Sequence, residues 1–564
     1  MKTRLLVAAS LCFLASAGVA AESHPPQKVP ASGAPSALSA ASPNHGVIFT
    51  PWQVKSEGSV TVESQKIDYT AVIGTIVVHP KGWDDQAWRT HNLYPKEEEE
   101  PGEAQSEEQG QEVEKPSPRA EASMFYVAYF KNGVPSADRP ITFLDNGGPG
   151  SSSVWLHMGA FGPRRVVTQD STHDPAGPYE TVNNDYSLLD ASDLVFVDAP
   201  GTGFSRVAGK DKEKAFYGMD PDAYAFSRFV IGFLDEYGRW SSPKYLFGES
   251  YGTPRSAVLV NDLETGDDID FNGVVLLSQI LDFELSVDGP YYHPGSDEAY
   301  VTALPTYAAT AWYHDRLPGQ KPADLKAFLS EVEAFATGPY ATALQAGYAL
   351  DPATKQLIAE QYSRYTGLPV GYILKANLRV DGGQFEHELM GEEDTTTGRL
   401  DTRFAGPSLD PLSERSEYDP QSAAISSAYV SGFNAYVRKD LGYAGDEVYK
   451  PEIELFRYWS MEHQPPGARF PSRGAADVLP DLANAMKQDP NLKVMVNGGY
   501  FDLATPFFEG WYEDHHLQIP ASLDGNIEYH YYPSGHMVYV HIPSLKEMHD
   551  NVADFIHRTD NLGG

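Results

Sequence analysis

Short apolar runs separated by longer amphipathic segments occupy two stretches of the chain. Four runs, PITFLD, DLVFVDAP, PKYLFGES and GVVLLSQ, lie between residues 140 and 279, and two more, LKVMVNGG and IEYHYYPS, lie between residues 492 and 534. Such runs, alternating with helical segments, indicate strands of a parallel sheet that is buried on both faces. The pattern therefore predicts an α/β protein with a mostly parallel central sheet flanked by helices.

The segments around these runs also have readable periods. SQKIDYTAVIGTIVVHP and ASMFYVAYFKNG are rich in β-branched and aromatic residues and predict two earlier strands. DPDAYAFSRFVIGFLDEYGRW predicts a helix with a long apolar face. Near the C-terminus, PSLKEMHDNVADFIHRT predicts another helix, and we expect Ser544 and Glu547 to form a capping box at its start.

The alternation of strand and helix patterns is interrupted between residues 291 and 480. Helical patterns interrupted by glycine, proline and acidic loops replace it there. We interpret residues 291–480 as a helical cap inserted into the sheet protein. This insertion divides the predicted core into residues 47–290 and residues 481–564.

The N-terminus is typical of an exported protein. Lys2 and Arg4 precede an apolar run that ends in small residues, so residues 1–20 are predicted to be a cleaved secretory signal. Residues 21–46, rich in proline, alanine and serine, are predicted to be a flexible leader. Because the apolar run is too short to span a bilayer, we expect a secreted or periplasmic protein with no integral membrane anchor.

Cysteine and charge content exclude several functions. The single cysteine, Cys12, lies within the predicted signal, so thiolate catalysis, thiolate metal sites and disulfides are not expected in the mature protein. The formal net charge of −36 at pH 7 argues against nucleic acid as a partner, because no basic excess can displace counterions from phosphates. Residues 96–121 hold ten glutamates and are predicted to be a disordered, solvated insert without an assigned role.

The stretch LFGESYGTP contains a G-x-S-x-G motif around Ser250. A chain of this length contains that motif by chance about one time in five, so its surroundings decide its meaning. The residues before it predict the end of a strand, and residues 251–266 predict a helix. Strand, motif and helix together form the tight turn that exposes a nucleophilic serine, so Ser250 is the candidate nucleophile.

A serine nucleophile needs a base, and the base needs an acid that orients it. Asp502 follows the predicted strand LKVMVNGG, and His536 follows the predicted strand IEYHYYPS. Taken alone, each is more often a turn residue or a surface side chain. Together, in the chain order Ser, Asp, His and at the ends of strands, they predict a catalytic triad.

The segment FLDNGGPGSSS carries a predicted strand into a glycine-rich loop. Its backbone amides are candidates to stabilise a negative charge that develops during acyl transfer. A nucleotide-binding loop is the alternative, but neither the Gly-Lys-Ser/Thr ending nor the G-x-G-x-x-G spacing is present. We therefore expect no cofactor, and the sequence predicts no metal site.

Four segments resemble the signature segments of the serine carboxypeptidases. They are NGGPGSSS, VDAPGTGFS, FGESYGT and GHMV, in that order. The resemblance implies an α/β-hydrolase fold with a helical cap, a catalytic triad, an oxyanion hole and a site for the terminal carboxylate of the substrate. The residues for the last three are, in turn, Ser250, Asp502 and His536; the amides of Gly148 and Tyr251; and Asn146, Gly147 and Glu249.

Three positions depart from the family pattern. Ser151 stands where a disulfide-bonded cysteine is usual, and Leu144 stands where a tryptophan is usual. Ala160 replaces a glutamate that shares a proton with the residue matched by Glu249. The resemblance implies that a protonated Glu249 binds the terminal carboxylate, so the missing partner bears on the strength and pH range of that binding.

These inferences predict an exported serine carboxypeptidase that cleaves peptides with a free C-terminus through an acyl-enzyme. Because Glu249 must be protonated and His536 neutral, we expect peptide cleavage to be favoured at acidic pH and ester cleavage to hold up better at neutral pH. A serine esterase or acyltransferase on the same scaffold is the alternative, and a catalytically silent binding protein is a third. The sequence predicts no oligomeric state.

Overall fold

The computed structural model describes residues 48–83, 119–289 and 294–562, which belong to one compact unit. The predicted signal, the predicted leader and most of the predicted acidic insert lie outside the described residues. Glu121, the last residue of that insert, is buried and begins a strand, which corrects the predicted boundary. Within the described ranges, no helix is both long enough and apolar enough to cross a membrane.

The strands and α-helices of the described residues have the following bounds. The strands are β1 Gln53–Val62, β2 Gln65–Val78, β3 Glu121–Lys131, β4 Ile141–Asn146, β5 Arg164–Val166, β6 Thr181–Asn183, β7 Asp193–Val197, β8 Arg206–Ala208, β9 Lys244–Glu249, β10 Gly273–Leu277, β11 Thr395–Thr397, β12 Ala405–Pro407, β13 Lys493–Gly499 and β14 Ile527–Tyr532. The helices are α1 Lys212–Phe216, α2 Met219–Tyr237, α3 Gly252–Gly266, α4 Glu298–Tyr313, α5 Leu325–Phe335, α6 Ala341–Ala346, α7 Pro352–Thr366, α8 Val370–Lys375, α9 Gly382–Glu388, α10 Pro420–Lys439, α11 Leu479–Gln488, α12 Phe507–Asp514 and α13 Ile542–Thr559. A π-helix, Leu156–Phe161, follows β4 and borders the candidate site.

Ten strands form the central sheet, in the order β1-β2-β3-β7-β4-β9-β10-β13-β14, with β8 paired to β3 outside this path. Neighbours from β7 to β14 are parallel, whereas β1, β2, β3 and β7 pair antiparallel. Each of the six apolar runs forms one parallel strand, and the two early segments form β2 and β3. The predicted mostly parallel sheet is confirmed, and the arrangement is an α/β-hydrolase fold.

The inner parallel strands are buried because helices cover both faces of the sheet. Every residue of β4, β7 and β10 is buried. One core packs α10 and α13 against the sheet, and the other packs α2, α3 and α11 against it. By contrast, β1 alternates between more and less exposed residues, as expected for an antiparallel edge strand with one covered face.

Helices α4 to α9 form the cap, which has an apolar core of its own. The rings of Tyr307 and Phe385 stack there with centroids 4.0 Å apart. Phe501 and Phe507, which follow β13, belong to the same cluster and join the cap to the sheet. Within the predicted insertion, the helices that pack as a cap therefore span residues 298–388 only.

Residues 440–478, here called the strap, differ from the predicted helical insertion. They contain no helix, and they pair with loops of the core instead: Glu452 bridges to Ser151, and Lys450 bridges to Gly203. Helix α10, before the strap, packs on the sheet rather than in the cap. The glycines and prolines of this segment are spaced as in interrupted helices. Its backbone N–H and C=O groups instead find hydrogen-bond partners in distant loops.

The predicted capping box at Ser544 is wrong. Helix α13 begins earlier, at Ile542, with Pro543 in its first turn and no side-chain cap at His541. Proline is favourable at that position because its missing N–H needs no partner there. The hydroxyl of Ser544 instead lies 2.7 Å from Nδ1 of His541.

A buried arginine ties the sheet to two helices beneath the glycine-rich loop. The guanidinium of Arg255, on α3, bonds the carboxylate of Asp222 on α2 at 2.6 Å and also the carboxylate of Asp145 at the end of β4. It donates to the carbonyl oxygen of Asn146 at 3.0 Å as well. Burial raises the pKa of Asp145, and the Arg255 cation opposes this. The cation therefore anchors the strand end from which the loop departs.

Removing this cation should destabilise the fold, and more at neutral than at acidic pH. In Arg255→Met both carboxylates lose their counter-charge, so we expect the free energy of unfolding to fall by about 3–5 kcal/mol near neutral pH. Their pKa values then rise further above those of the unfolded chain. The folded state therefore binds more protons, so the loss shrinks as pH falls and both groups protonate. Urea unfolding, followed by tryptophan fluorescence at both pH values, measures the effect.

Arg558 provides the matched control. It is half-exposed and pairs with Glu528 and Asp554 at the surface. Arg558→Met should change the free energy of unfolding by at most about 1 kcal/mol. Equal losses in the two variants, or a pH-independent loss in Arg255→Met, would contradict the anchoring role.

Candidate active site

Ser250 occupies a strained turn between β9 and α3. Its φ of 61° lies in the left-handed region, which is unfavourable for a residue with a side chain. Its N–H donates to the carbonyl of Leu277 at 2.9 Å, and its own carbonyl accepts from the N–H of Thr253 at 2.8 Å. A side chain at Gly248 would overlap the backbone of Gly252, so the turn requires glycine there. The predicted strand, turn and helix are present.

Asp502 and His536 lie together at the ends of the next two strands. Oδ2 of Asp502, which follows β13, is 2.8 Å from Nδ1 of His536, which follows β14. Oδ1 of Asp502 accepts hydrogen bonds from the amides of Ala504 and Thr505 at 2.9 and 3.1 Å. Burial lowers the pKa of His536, but the adjacent carboxylate of Asp502 raises it, and the net shift is upward.

The predicted site residues meet at one cavity of about 490 Å³. Six of the eight line it: Asn146, Gly147, Gly148, Glu249, Ser250 and His536. Asp502 is fully buried and holds the inner nitrogen of His536, and the backbone of Tyr251 lies against Gly147. Residues far apart in the sequence therefore share one site.

The glycine-rich loop lies directly against the turn at Ser250. A Cβ atom at Gly147 would overlap the backbone nitrogen of Tyr251, so only glycine allows this approach. Ser151, where the family pattern has a cysteine, accepts a hydrogen bond from the indole of Trp155 at 2.7 Å and pairs with Glu452 of the strap. Hydrogen bonds to the protein thus hold the position at which the family pattern has a disulfide-bonded cysteine.

Glu249 is a buried acid next to Ser250 in the chain, with an exposed fraction of 3%. The hydroxyl of Tyr539 lies 3.1 and 3.0 Å from its two carboxylate oxygens. Burial raises the pKa of Glu249 to about 7, although His536, Tyr539 and Asn146 act in the opposite direction. Near neutral pH the group therefore lies at the boundary between a proton donor and a carboxylate.

Sequence reasoning missed two residues that contact the candidate site. The hydroxyl of Thr505 donates to Oδ2 of Asp502 at 2.8 Å and lies 3.3 Å from Nδ1 of His536. Its position three residues after Asp502 is typical of a side-chain turn, which is the signal that could have found it. No local sequence pattern could have identified Tyr539, because its partner Glu249 is 290 positions away.

The opposite wall of the cavity comes from segments beyond the sheet. Arg399 and Asp419 lie between the cap and α10, and Glu452 belongs to the strap. Arg399 is engaged with the carboxylate of Asp288, and the carboxylate of Asp419 accepts from the amide of Leu400 at 2.8 Å. Across the described residues, no group of three or more His, Cys, Asp or Glu side chains is arranged to hold a metal ion.

Residues 113–317 match the family model described as serine carboxypeptidase. That stretch contains the glycine-rich loop and the turn at Ser250. Over these residues the chain is similar to the serine carboxypeptidases. Asp502 and His536 lie outside the match, so their place in the site comes from the geometry described above.

Relatives of this family align over limited lengths. A carboxypeptidase Y homolog of Arthroderma benhamiae is 31% identical over 179 residues, which are 31% of this chain and 33% of the relative. The pheromone-processing carboxypeptidase KEX1 of Debaryomyces hansenii is 33% identical over 122 residues, which are 21% of this chain and 16% of the relative. The chain thus matches a third or less of the length of each of these two relatives.

Among solved structures, a proline iminopeptidase of Mycobacterium smegmatis is similar to this chain. It is 13% identical, the similarity covers 78% of this chain and 97% of that one, and the TM-score is 0.34.

Ser250 should react selectively with a fluorophosphonate probe, because the turn exposes its hydroxyl and His536 can accept the proton. Intact-protein mass spectrometry should show a single label, and peptide mapping should locate it at Ser250. We expect Ser250→Ala to abolish labelling and His536→Ala to slow it by about 10³-fold or more. Ser426→Ala, which removes another hydroxyl of the same cavity, is the control and should label at the wild-type rate. Labelling at another residue, or a full rate in His536→Ala, would refute the assignment.

Proposed function

We propose that the protein is an exported serine carboxypeptidase, which releases single residues from the C-terminus of peptides. The observation that carries this proposal is the buried carboxyl group of Glu249, which lines the same cavity as Ser250 and His536 and whose pKa burial raises to about 7. A protonated carboxyl beside a nucleophile suits a substrate that ends in a carboxylate. Export rests on the sequence pattern of residues 1–20 alone.

In the proposed reaction, Oγ of Ser250 attacks the carbonyl carbon of the last peptide bond while Nε2 of His536 takes the hydroxyl proton. Asp502, 2.8 Å from the other ring nitrogen, orients the imidazole and stabilises the imidazolium. The negative charge that forms on the carbonyl oxygen accepts hydrogen bonds from the amides of Gly148 and Tyr251.

Three further proton transfers at the site complete the cycle. His536 gives its proton to the amine of the departing C-terminal residue, which leaves the rest of the peptide as an ester on Ser250. A water molecule then loses a proton to His536 and attacks that ester. When the second intermediate collapses, His536 returns the proton to Oγ of Ser250, and the shortened peptide leaves as a carboxylic acid, which ionises in water.

The terminal carboxylate of the substrate selects the cleaved bond in this proposal. The side-chain amide of Asn146 and the backbone N–H of Gly147 can donate to one carboxylate, and a protonated Glu249 can donate as well. An ionised Glu249 would instead repel it. A serine esterase or an acyltransferase would use the same three catalytic residues but would not require this recognition.

A matched pair of peptides tests the recognition. We expect mass spectrometry to show loss of one C-terminal residue from a free-acid peptide, and at least about 100-fold slower cleavage of its amidated form, because an amide cannot bind a protonated carboxyl as a carboxylate does. Ser250→Ala should abolish both reactions. Equal cleavage of the two peptides, or turnover of esters only, would favour the esterase or acyltransferase. Absence of turnover and of labelling would favour a binding protein.

The pH dependence of peptide cleavage follows from two groups with opposite requirements, because His536 must be neutral and Glu249 must be protonated. The kcat/KM for a free-acid peptide should rise as His536 loses its proton, and fall again above about pH 7 as Glu249 loses its own. An N-acyl amino-acid alkyl ester, which lacks a terminal carboxylate, should show the rise without the fall.

Glu249→Gln supplies the control for the alkaline fall. Its side-chain amide donates at every pH, so the fall seen with the peptide should disappear while some carboxylate binding remains. Parallel pH profiles for peptide and ester in the wild-type protein would contradict the role of Glu249. An alkaline fall that persists unchanged in Glu249→Gln would contradict it as well.

A further inference from the structure

Tyr539 reaches the candidate site from a short turn that follows His536. It lies on the 3-10 helix Val538–Val540, just before α13, and its side chain is buried. Its hydroxyl contacts both carboxylate oxygens of Glu249, at 3.1 and 3.0 Å. A phenol donates through an O–H, so it stabilises the ionised form of the acid more than the protonated form.

The π-helix Leu156–Phe161 provides the space for this contact. A Cβ atom at Gly159 would overlap the rings of both Tyr539 and Tyr429. The next residue, Ala160, is fully buried and carries no polar group, although the family resemblance expects a glutamate there. Within the described chain, the side chains that bond Glu249 are instead Tyr539 and Asn146.

We propose that Tyr539 is the positioning residue of the carboxylate-binding site: its hydroxyl holds the carboxyl group of Glu249, in place of a second carboxyl group, and sets the highest pH at which a terminal carboxylate is bound. This inference rests on the proposed carboxypeptidase function. When Glu249 is ionised, Tyr539 donates to it. When Glu249 is protonated, Tyr539 donates to the unprotonated oxygen and leaves the acid O–H for the substrate.

As a partner of Glu249, a tyrosine differs from a second carboxyl group in whether it loses its own proton within the working pH range. Burial and the nearby Glu249 raise the pKa of Tyr539 well above its ordinary value, so this hydroxyl keeps its proton throughout the working range. The pair therefore has a single titrating proton, that of Glu249. A second carboxyl group would add another titration and another negative charge beside the substrate.

Other titratable groups also face Glu249 from the elements around it. Burial is the largest influence on its pKa and raises it; the cationic form of His536 lowers it, and Asp502 raises it slightly. Tyr429, on α10, lies close enough for the charge of Glu249 to raise its pKa, but its hydroxyl bonds Thr168. Among these groups, Tyr539 is the neutral donor whose bond can be removed without changing any charge.

Tyr539→Phe tests the inference because it keeps the ring and removes only the hydroxyl. We expect the alkaline fall in kcat/KM for a free-acid peptide to move to higher pH by about one unit. At acidic pH, KM for the peptide should rise about threefold to tenfold, and by more than kcat falls. The ratio of peptide to ester kcat/KM should fall at acidic pH, since the ester has no terminal carboxylate.

Tyr429→Phe is the matched control. It removes a buried hydroxyl from the neighbouring ring, which also packs against Gly159, but not a bond to Glu249. Its alkaline fall should coincide with that of the wild-type protein. The rate of fluorophosphonate labelling at Ser250 reports in each variant whether the turn itself is intact.

Replacement of Tyr539 by 3-fluorotyrosine gives a shift in the opposite direction. Fluorine makes the hydroxyl a stronger donor while the shape is nearly kept, so the alkaline fall should move to lower pH. This variant also covers the case in which Tyr539→Phe fails to fold. Opposite shifts in the two variants, with none in Tyr429→Phe, support the inference.

Different results would contradict the role of Tyr539 and the proposed carboxypeptidase function. If the wild-type protein releases no C-terminal residue, the proposed carboxypeptidase function is wrong. If it does, and the alkaline fall stays in place in Tyr539→Phe or in the 3-fluorotyrosine protein, the positioning role of Tyr539 is overturned. An equal shift in Tyr429→Phe would also overturn it, because the effect would then come from packing.

Discussion

The contact between the glycine-rich loop and the turn at Ser250 is the constraint on which the candidate site depends. Strands β4 and β9 are parallel neighbours, and their register sets Asn146 opposite Glu249. The loop that follows β4 then passes so close to Tyr251 that Gly147 has no room for a side chain. The proposed oxyanion donors therefore belong to two backbones held in contact, which need little reorganisation when charge develops.

Buried charge is arranged differently on the two sides of this contact. Beneath the loop, Asp145 pairs with the guanidinium of Arg255, and beside the turn, Glu249 contacts the neutral donors Tyr539 and Asn146. Burial outweighs these partners in both places and raises the pKa of each acid to about 7. The two acids therefore differ in position and partners: Asp145 is held by a cation beneath the loop, whereas Glu249 lines the cavity, where its proton can be donated.

Two sequence-based expectations failed where distant backbone supplied the partner, and a third failed where a neighbouring proline favoured an earlier helix start. Glu121 was assigned to a solvated insert on its composition, but its carboxylate accepts from the amides of Ile48 and Phe49 at 2.9 and 3.1 Å. The strap was assigned to the helical cap, but it pairs with the glycine-rich loop and with Gly203. Ser544 matched a capping box, yet Pro543 allows α13 to begin earlier. In each case composition or a local motif was correct in itself but did not contain the competing interaction.

The sequence by itself determined the parallel strands, the turn at Ser250 and the order of the three proposed catalytic residues. These features depend on apolar periodicity and backbone sterics, which act over a few neighbouring residues. Only the tertiary structure decided which side chains surround the buried acid. Tyr539 owes its role to the space beside Gly159, and packing brings it to Glu249 from 290 positions away. A hydrogen-bond partner of a buried group is selected by distance in space, and no local pattern encodes that distance.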